Sequence, residues 1–275
     1  MSSEDILTLA PPAGAARIAY GNGAQQFGDL RLPGGAGPHP VVVTIHGGYW
    51  RARFDLEYFG HACADLTAHG LATWNIEYRR IGNPGGAWPG TFLDVAAAMD
   101  HLRTLAVTHP LDLARVVTLG HSAGGQLALW LAGRPCIAPE SPVYAAHPLR
   151  PRATIALAGV LDLRQTYALN LSNGAAAELL GGSPDTFPQR YAAASPAELL
   201  PLGVPATLFH GSADTHVPFA LSADYAERAR AAGDDVRLVT LPGVGHFEPV
   251  DPRAAEWAAV RDATLDVAMQ AHPRV

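Results

Sequence analysis

The amino-acid sequence predicts an α/β fold, with a mostly parallel central sheet, helices on both faces and a small cap segment. After about residue 40, short apolar runs rich in β-branched residues alternate with longer stretches of helical periodicity, the pattern of successive β–α–β units. The chain has 275 residues, of which 48% are hydrophobic and 16% charged. Because this length and composition fit one large domain with one core, we expect a single domain over residues 1–275.

The strands are predicted from short apolar runs. Val41–Ile45 (VVVTI) is typical of a strand buried on both faces, because every position is apolar or β-branched. The predicted strands are Val41–Ile45, Leu71–Tyr78, Ala114–Leu119, Ala153–Leu157, Ala206–Phe209 and Val236–Leu241. Ahead of them, Arg17–Leu32 is expected to form an antiparallel hairpin at the edge of the sheet.

Helical periodicity fills the intervals between these strands. The predicted helices are Leu56–His69, Thr91–Ala106, Ala123–Ala132, Ala220–Ala232 and Arg253–Met269. Ala123–Ala132 is apolar almost all round and should be buried. Thr91 and Asp94 are spaced like a capping box at the start of the second helix. Three of the helices are followed directly by a glycine, the residue that most often ends a helix.

Two stretches interrupt the alternation. Arg134–Arg152 contains five prolines and is expected to be irregular. Asp162–Pro201 is too long for a simple connection and has only weak helical pieces, notably Gly174–Leu180. Because it precedes the fifth strand, we expect residues 162–201 to form a cap inserted within the domain.

Composition excludes several classes of function. The net charge is −6 and no basic stripe is present, which argues against a nucleic-acid partner. All 19 cationic side chains are arginines, so neither a Schiff-base lysine nor a P-loop lysine is available. Cys63 and Cys136 have no metal-ligand spacing, and the 12 histidines form no H-x-x-x-H cluster. We therefore expect no metal site and no cofactor.

The first twenty residues lack a cationic start and a continuous apolar stretch, so no signal peptide is expected. No apolar run approaches the length of a membrane span. The expected location is the cytoplasm, without a membrane partner, and a homodimer is left open.

The segment Gly120-His121-Ser122-Ala123-Gly124 is a G-x-S-x-G motif between a predicted strand and a predicted helix. This strand–turn–helix context is that of a nucleophile elbow, in which a serine side chain is held on a tight turn. Only small residues fit beside such a serine, and the following helix directs N–H groups at developing negative charge. Ser122 is therefore the candidate nucleophile.

The segment His46-Gly47-Gly48-Tyr49-Trp50 (HGGYW) follows the strand VVVTI directly. A glycine-containing loop at this point can supply backbone N–H donors for an oxyanion hole. We expect these donors from Gly47, Gly48 and Tyr49, and a further donor from Ala123. His46 is expected to orient the loop by a side-chain hydrogen bond.

Asp214 follows the fifth predicted strand, and His246 follows the sixth. The ends of parallel strands converge at one edge of a sheet, so Ser122, Asp214 and His246 should meet there. A hydroxyl is a weak nucleophile, so a neutral imidazole must take its proton, and a carboxylate must hold that imidazole. His246 is the candidate base and Asp214 the candidate acid. Asp162, which also follows a strand, remains an alternative acid.

The motifs HGGYW, GHSAGG, GSAD and GHF together resemble the α/β-hydrolase superfamily, from about residue 17 to the end of the chain. Within it, HGGYWR and EYRRIGNPGGAWPGTFLDV resemble kynurenine formamidase (arylformamidase) and related bacterial esterases. Tyr49 replaces the third glycine of the HGGG pattern of lipases. The resemblance implies an α/β-hydrolase fold and a serine hydrolase that cleaves a small carboxylic ester or formamide through an acyl-enzyme, without a cofactor.

Aromatic residues near these motifs are candidate substrate contacts, because aromatic walls favour flat, apolar ligands. The candidates are Tyr49, Trp50, Trp88, His121 and Phe247. The expected partner is a small-molecule ester or amide. A peptidase-like amidase and a noncatalytic binding protein with a hydrolase fold are left open as alternatives.

Overall fold

An eight-stranded sheet forms the centre of the computed structural model, which describes residues 3–270. The strands are β1 (Ala16–Ala19), β2 (Phe27–Arg31), β3 (His39–Ile45), β4 (Ala72–Ile76), β5 (Leu111–His121), β6 (Ala153–Leu157), β7 (Ala206–Gly211) and β8 (Val236–Leu241). Their order is β1-β2-β4-β3-β5-β6-β7-β8. The pairs β1–β2 and β2–β4 are antiparallel and all the others parallel. The predicted sheet and its edge hairpin are confirmed.

Helices cover both faces of the sheet. They are α1 (Gly60–Ala68), α2 (Gly90–Asp100), α3 (Leu102–Thr108), α4 (Ala123–Gly133), α5 (Leu163–Ala168), α6 (Ala175–Leu180), α7 (Pro188–Ala194), α8 (Phe219–Ala231) and α9 (Trp257–Met269). Side chains of β3 alternate between two cores: Val41 and Val43 pack with α2, α4 and α8, whereas Val42 packs with α1 and α9. Within the described range, no helix has the length and apolar character needed to span a membrane.

The second predicted helix differs from the structure in two ways. It is divided into α2 and α3 at His101, and it begins without a capping box. Asp94 instead accepts hydrogen bonds from the Nε and Nη2 of Arg79, at 2.8 and 2.7 Å, and from Gln26. The Thr91 hydroxyl donates to the carbonyl of Arg79. The capping-box prediction is wrong because both side chains bind a residue more than ten positions upstream.

The region expected to form a cap contains α5, α6 and α7. It is bound to the rest of the domain by side chains of α4: Gln126 Nε2 donates to the carbonyl of Ala194, and Trp130 Nε1 to that of Ala193. Both bonds are 2.8 Å long. The single domain over residues 1–275 stays a prediction, and residues 1–2 and 271–275 lie outside the described residues.

We expect Asp94→Ala to lower the free energy of unfolding by about 3–5 kcal/mol, because it leaves the Arg79 guanidinium without its carboxylate. The Asp94 side chain is only 2% exposed. Asp262→Ala is the matched control, since Asp262 pairs with Arg261 at the surface and is 62% exposed. The control should change stability by less than about 1 kcal/mol. Urea unfolding measures the free energy of unfolding of both variants. Equal losses would contradict the stabilising role given to the buried Asp94–Arg79 pair.

Candidate active site

Ser122 occupies the turn between β5 and α4 with φ 57° and ψ −120°, outside the regions that most residues adopt. Such a conformation costs about 1–3 kcal/mol and persists only where its surroundings enforce it. A Cβ added to Gly120 would overlap the carbonyl oxygen of Gly124, and one added to Gly124 would overlap that of Ile45. The two glycines of the G-x-S-x-G motif are therefore required by backbone packing at this turn.

His246 lies after β8 and Asp214 after β7, and their side chains meet beside the Ser122 turn. The distance between His246 Nδ1 and Asp214 Oδ2 is 2.7 Å. The other carboxylate oxygen of Asp214 accepts from the backbone N–H groups of His216 and Val217, at 2.8 and 2.9 Å. These contacts fix the carboxylate and engage the Nδ1 of His246, and His246 lines the same cleft as Ser122.

The environment of Asp214 favours its charged form. Burial alone would raise the pKa of this carboxyl, but hydrogen bonds from His210 and His246 hold the pKa well below its usual range. His210 Nε2 lies 3.3 Å from Asp214 Oδ2, and neither side chain is exposed. Burial lowers the pKa of His246, while Asp214 opposes the shift. The site therefore holds a carboxylate beside a neutral imidazole, as general-base chemistry requires.

The expected oxyanion loop lies against the nucleophile turn. A Cβ on Gly47 would come within 2.8 Å of the Ser122 Cβ, so only glycine permits this approach. However, the N–H of Gly47 donates to the Tyr58 hydroxyl at 2.7 Å. This corrects the expectation that Gly47 would be an oxyanion donor, because its single N–H is already used. Gly48, Tyr49 and Ala123 stay candidates.

His46 is buried behind this loop. Its Nδ1 lies 2.8 Å from the carbonyl of Gly47, and its Nε2 lies 3.2 Å from Glu77 Oε1. Its ring also stacks on that of Tyr78, with centroids 4.5 Å apart. These contacts fit the expected role of His46 in orienting the loop.

A cleft of about 240 Å³ opens over Ser122. Tyr49, His121 and Phe247 line it, as do His246 and His216; further lining residues are Glu4, Leu7, Gly48, Arg51, Arg53, Phe54, Tyr58 and Ser172. Apolar and aromatic side chains therefore surround the serine on several sides, which suits a small ligand with an apolar part.

Two of the expected substrate contacts lie elsewhere. Trp50 is fully buried, and its Nε1 donates to Gln126 Oε1 at 3.0 Å. Trp88 packs on Phe92, with ring centroids 5.5 Å apart, and lines a separate cavity with Phe187. Trp50 belongs to the hydrophobic core, and its backbone has a left-handed φ of 57°. The predictions for Trp50 and Trp88 are corrected accordingly.

The alternative acid is engaged in a different part of the fold. Asp162 caps the start of α5, where its side chain accepts from the N–H groups of Arg164 and Gln165. Its other oxygen lies 2.6 Å from Arg228 Nη1. With both oxygens bound in this way, Asp162 has a structural role, and the candidate acid is Asp214.

Three residues that sequence reasoning did not assign to catalysis complete the site. His210 supports Asp214, Tyr58 binds Gly47, and the His216 ring stacks on that of His246 with centroids 4.9 Å apart. Asp214, His216 and His246 offer potential metal ligands within 4.8 Å of one another.

Solved structures with similar folds place this architecture among the α/β-hydrolases. A truncated carbohydrate esterase from gut microbiota matches with a TM-score of 0.81 and 18% identity, over 95% of this chain and 100% of that chain. A bifunctional GH43-CE protein of Bacteroides eggerthii matches with a TM-score of 0.76 and 24% identity, over 91% of this chain and 37% of that chain. Esterase 2 of the Planctomycetes species Thermogutta terrifontis matches with a TM-score of 0.74 and 25% identity, over 94% of this chain and 92% of that chain.

The chain has an α/β-hydrolase fold, which confirms the expected superfamily. The BD-FAE family matches residues 29–228, and the chain belongs to this family. A search of curated protein sequences found no match. The resemblance to kynurenine formamidase stays a prediction.

We expect Asp214→Asn to slow the labelling of Ser122 by a fluorophosphonate by about 10³- to 10⁴-fold, because an amide no longer holds His246 in the required tautomer. Asp162→Asn is the matched control and should label at close to the wild-type rate. Mass spectrometry of the labelled protein over time gives both rates. The reverse ranking would move the acid to Asp162.

Proposed function

We propose that this chain is a serine hydrolase that cleaves a small carboxylic ester through an acyl-enzyme intermediate. The observation that carries the proposal is the 2.7 Å hydrogen bond between His246 and Asp214 beside the constrained turn of Ser122. A buried carboxylate, a neutral imidazole and a serine on a tight turn form the arrangement that activates a hydroxyl. An intact set of these groups argues against a noncatalytic binding protein.

In the proposed reaction, Ser122 Oγ attacks the ester carbonyl carbon while His246 Nε2 takes the hydroxyl proton. The negative charge moves to the carbonyl oxygen, where the N–H groups of Gly48, Tyr49 and Ala123 stabilise it. His246 then gives its proton to the leaving alkoxide, and the alcohol departs. Water attacks the acyl-enzyme by the same steps in reverse order, releasing the carboxylic acid and restoring Ser122.

Two features of the site support these oxyanion donors. Gly48 has a φ of 109°, a conformation that favours glycine, and it follows Gly47, which packs against the Ser122 Cβ. Ala123 is the first residue of α4, and the N–H groups of a first helical turn have no acceptor within the helix. The positive end of the helix dipole adds to their effect on an oxyanion.

A small acyl group suits this cleft, because its volume is about 240 Å³ and the rings of Tyr49 and Phe247 line it together with Ser122. Thermogutta terrifontis esterase 2 has been solved with propionate bound and also phosphoramylated by tabun. By analogy, we propose acyl groups from formyl to about butyryl on an apolar or aromatic leaving group.

We expect kcat/KM for aryl esters to be highest for acetyl to butyryl groups and to fall for chains of about eight carbons or more. The substrates to be compared also include N-formylkynurenine, the first compound suggested by the formamidase resemblance. A preference for long acyl chains would contradict the proposed small acyl group. Ester turnover without formamide cleavage would keep the esterase proposal and discard only the formamidase proposal.

Ser122→Ala should lower kcat by about 10⁴-fold or more while the protein stays folded. Steady-state kinetics of the purified variant measure this loss, and full activity of Ser122→Ala would overturn the mechanism.

We expect the acid limb of the pH profile of kcat/KM to have its midpoint below 6.5, the ordinary imidazole value, because burial lowers the pKa of His246. As the pH falls through this pKa, His246 gains a proton and can no longer accept one from Ser122. Activity should therefore be retained at pH 6.5 and lost only as the pH falls through the lowered pKa of His246. A profile measured in buffers of constant ionic strength tests this, and a midpoint clearly above 6.5 would contradict His246 as the buried base.

A further inference from the structure

A continuous chain of hydrogen bonds runs beneath the nucleophile turn. The Gly47 N–H lies 2.7 Å from the Tyr58 hydroxyl, which lies 2.9 Å from His121 Nδ1. His121 Nε2 lies 3.0 Å from the carbonyl oxygen of His246. Tyr58 and His121 are 5% and 1% exposed. The chain therefore joins the backbone of the oxyanion loop to the backbone of the loop that carries the base.

The roles of donor and acceptor in this chain follow from its two ends. A backbone N–H can only donate, so the Tyr58 oxygen accepts from Gly47. A backbone carbonyl can only accept, so His121 Nε2 must carry a proton and donate to His246. In a neutral His121, Nδ1 then has no proton and accepts the hydroxyl proton of Tyr58, so a single neutral tautomer, protonated on Nε2, satisfies all three bonds.

The surroundings of His121 favour this state. Burial lowers the pKa of His121 well below its ordinary value, and the neighbouring His246 lowers it further. Burial also raises the pKa of Tyr58, so its hydroxyl keeps the proton that it donates. Both residues are thus held in the protonation states that the bonding pattern requires.

We propose that Tyr58 and His121 are positioning residues, which fix the oxyanion loop and the His246 loop at a set distance on either side of Ser122. This inference rests on the proposed function. His121 directly precedes Ser122 in the chain, and its ring centroid lies 4.6 Å from that of His246 and 5.7 Å from that of Tyr58. Neither side chain exchanges a proton with the substrate; both act through Gly47 and His246.

The position of Gly47 explains why the oxyanion donors would depend on this chain. Gly47 immediately precedes Gly48 and Tyr49, whose N–H groups are the proposed donors. Because these donors act on charge that develops only in the transition state, a shift of the loop should lower kcat more than it changes KM. Displacement by about 1 Å can cost about 10²-fold in rate.

The test compares Tyr58→Phe with Tyr225→Phe, using wild-type protein and an aryl propionate as substrate. Tyr225 is a matched control, because its hydroxyl is buried and has no hydrogen-bond partner in the described part of the chain. We expect Tyr58→Phe to lower kcat by about 10- to 100-fold with KM changed by less than about threefold. Tyr225→Phe should retain the wild-type kcat, and thermal unfolding checks that both variants are folded.

Two further variants separate positioning from packing. His121→Leu should lower kcat as Tyr58→Phe does, whereas His121→Gln, which keeps a donor and an acceptor, should recover part of the loss. The double variant Tyr58→Phe, His121→Leu should be little worse than the poorer single variant, since both break the same chain. Additive losses, or a Tyr58→Phe kcat equal to that of Tyr225→Phe, would overturn the proposal.

Long-range proton–nitrogen NMR of histidine-labelled protein supplies a readout that does not depend on turnover. We expect His121 to be neutral and protonated on Nε2 in the wild type, and to lose this fixed tautomer in Tyr58→Phe. A His121 protonated on Nδ1 in the wild type would overturn the bonding pattern directly. Because this spectrum can be read even if the wild type hydrolyses none of the esters, failure of the positioning role and failure of the proposed function are separate results.

Discussion

The close packing of backbone around Ser122 is the constraint on which the rest of the site depends. Gly120, Gly124 and Gly47 each leave no room for a Cβ, because each faces atoms of a neighbouring segment. These contacts bring together the end of β5, the start of α4 and the loop after β3. Since side chains are excluded from the contact, the backbones of two segments lie against the turn of Ser122, which is the arrangement that the proposed oxyanion donors require.

A buried carboxylate imposes the second constraint. A charge removed from water must be paired and hydrogen-bonded, and Asp214 receives bonds from His246, His210 and two backbone N–H groups. These partners come from β7, the loop after β8 and the loop between Asp214 and α8. Bringing them to one carboxylate requires the correct order of strands at this edge of the sheet, so the electrostatics of the site depend on the topology.

The parts of the fold that follow from local sequence could be predicted. Strands of a parallel sheet are continuous apolar runs, so Val41–Ile45 stands out, and the G-x-S-x-G glycines reflect a packing requirement confined to one turn. The capping box at Thr91 and Asp94 failed because Arg79 lies on a preceding loop, and no local pattern shows that pairing. The prediction of Trp50 as a substrate contact was wrong because Trp50 is buried in the core, at a left-handed backbone conformation that a tryptophan rarely adopts and that the sequence does not indicate.

Tyr58 was beyond prediction for a similar reason. Its partners are Gly47 and His121, which lie 11 and 63 positions away in the chain. A tyrosine beside Phe59 in a helical stretch carries the pattern of an ordinary core residue. Only the folded structure shows that its hydroxyl accepts the N–H of Gly47, which leaves Gly48 as the candidate donor among the two glycines of HGG.

The oxyanion loop is held in a strained conformation by bonds to three separate parts of the fold. Tyr49 and Trp50 have φ values of 49° and 57°, each costing about 1–3 kcal/mol for a residue with a side chain. The Tyr49 hydroxyl donates to the carbonyl of His216 at 2.6 Å, and the Trp50 indole donates to Gln126 on α4. Burial raises the pKa of Tyr49 to about 12, so the hydroxyl keeps its proton.

Arg51 adds the third connection, from the loop to the segment of residues 162–201. Its guanidinium lies 2.8 Å from Glu178 Oε2 and donates to the carbonyl of Ser172, also at 2.8 Å. Three consecutive side chains thus bind the loop that carries Asp214 and His216, helix α4 and residues 162–201. Because these bonds fix the loop to three parts of the fold, the proposed backbone donors would need little reorganisation, and such preorganisation makes backbone donors effective in catalysis.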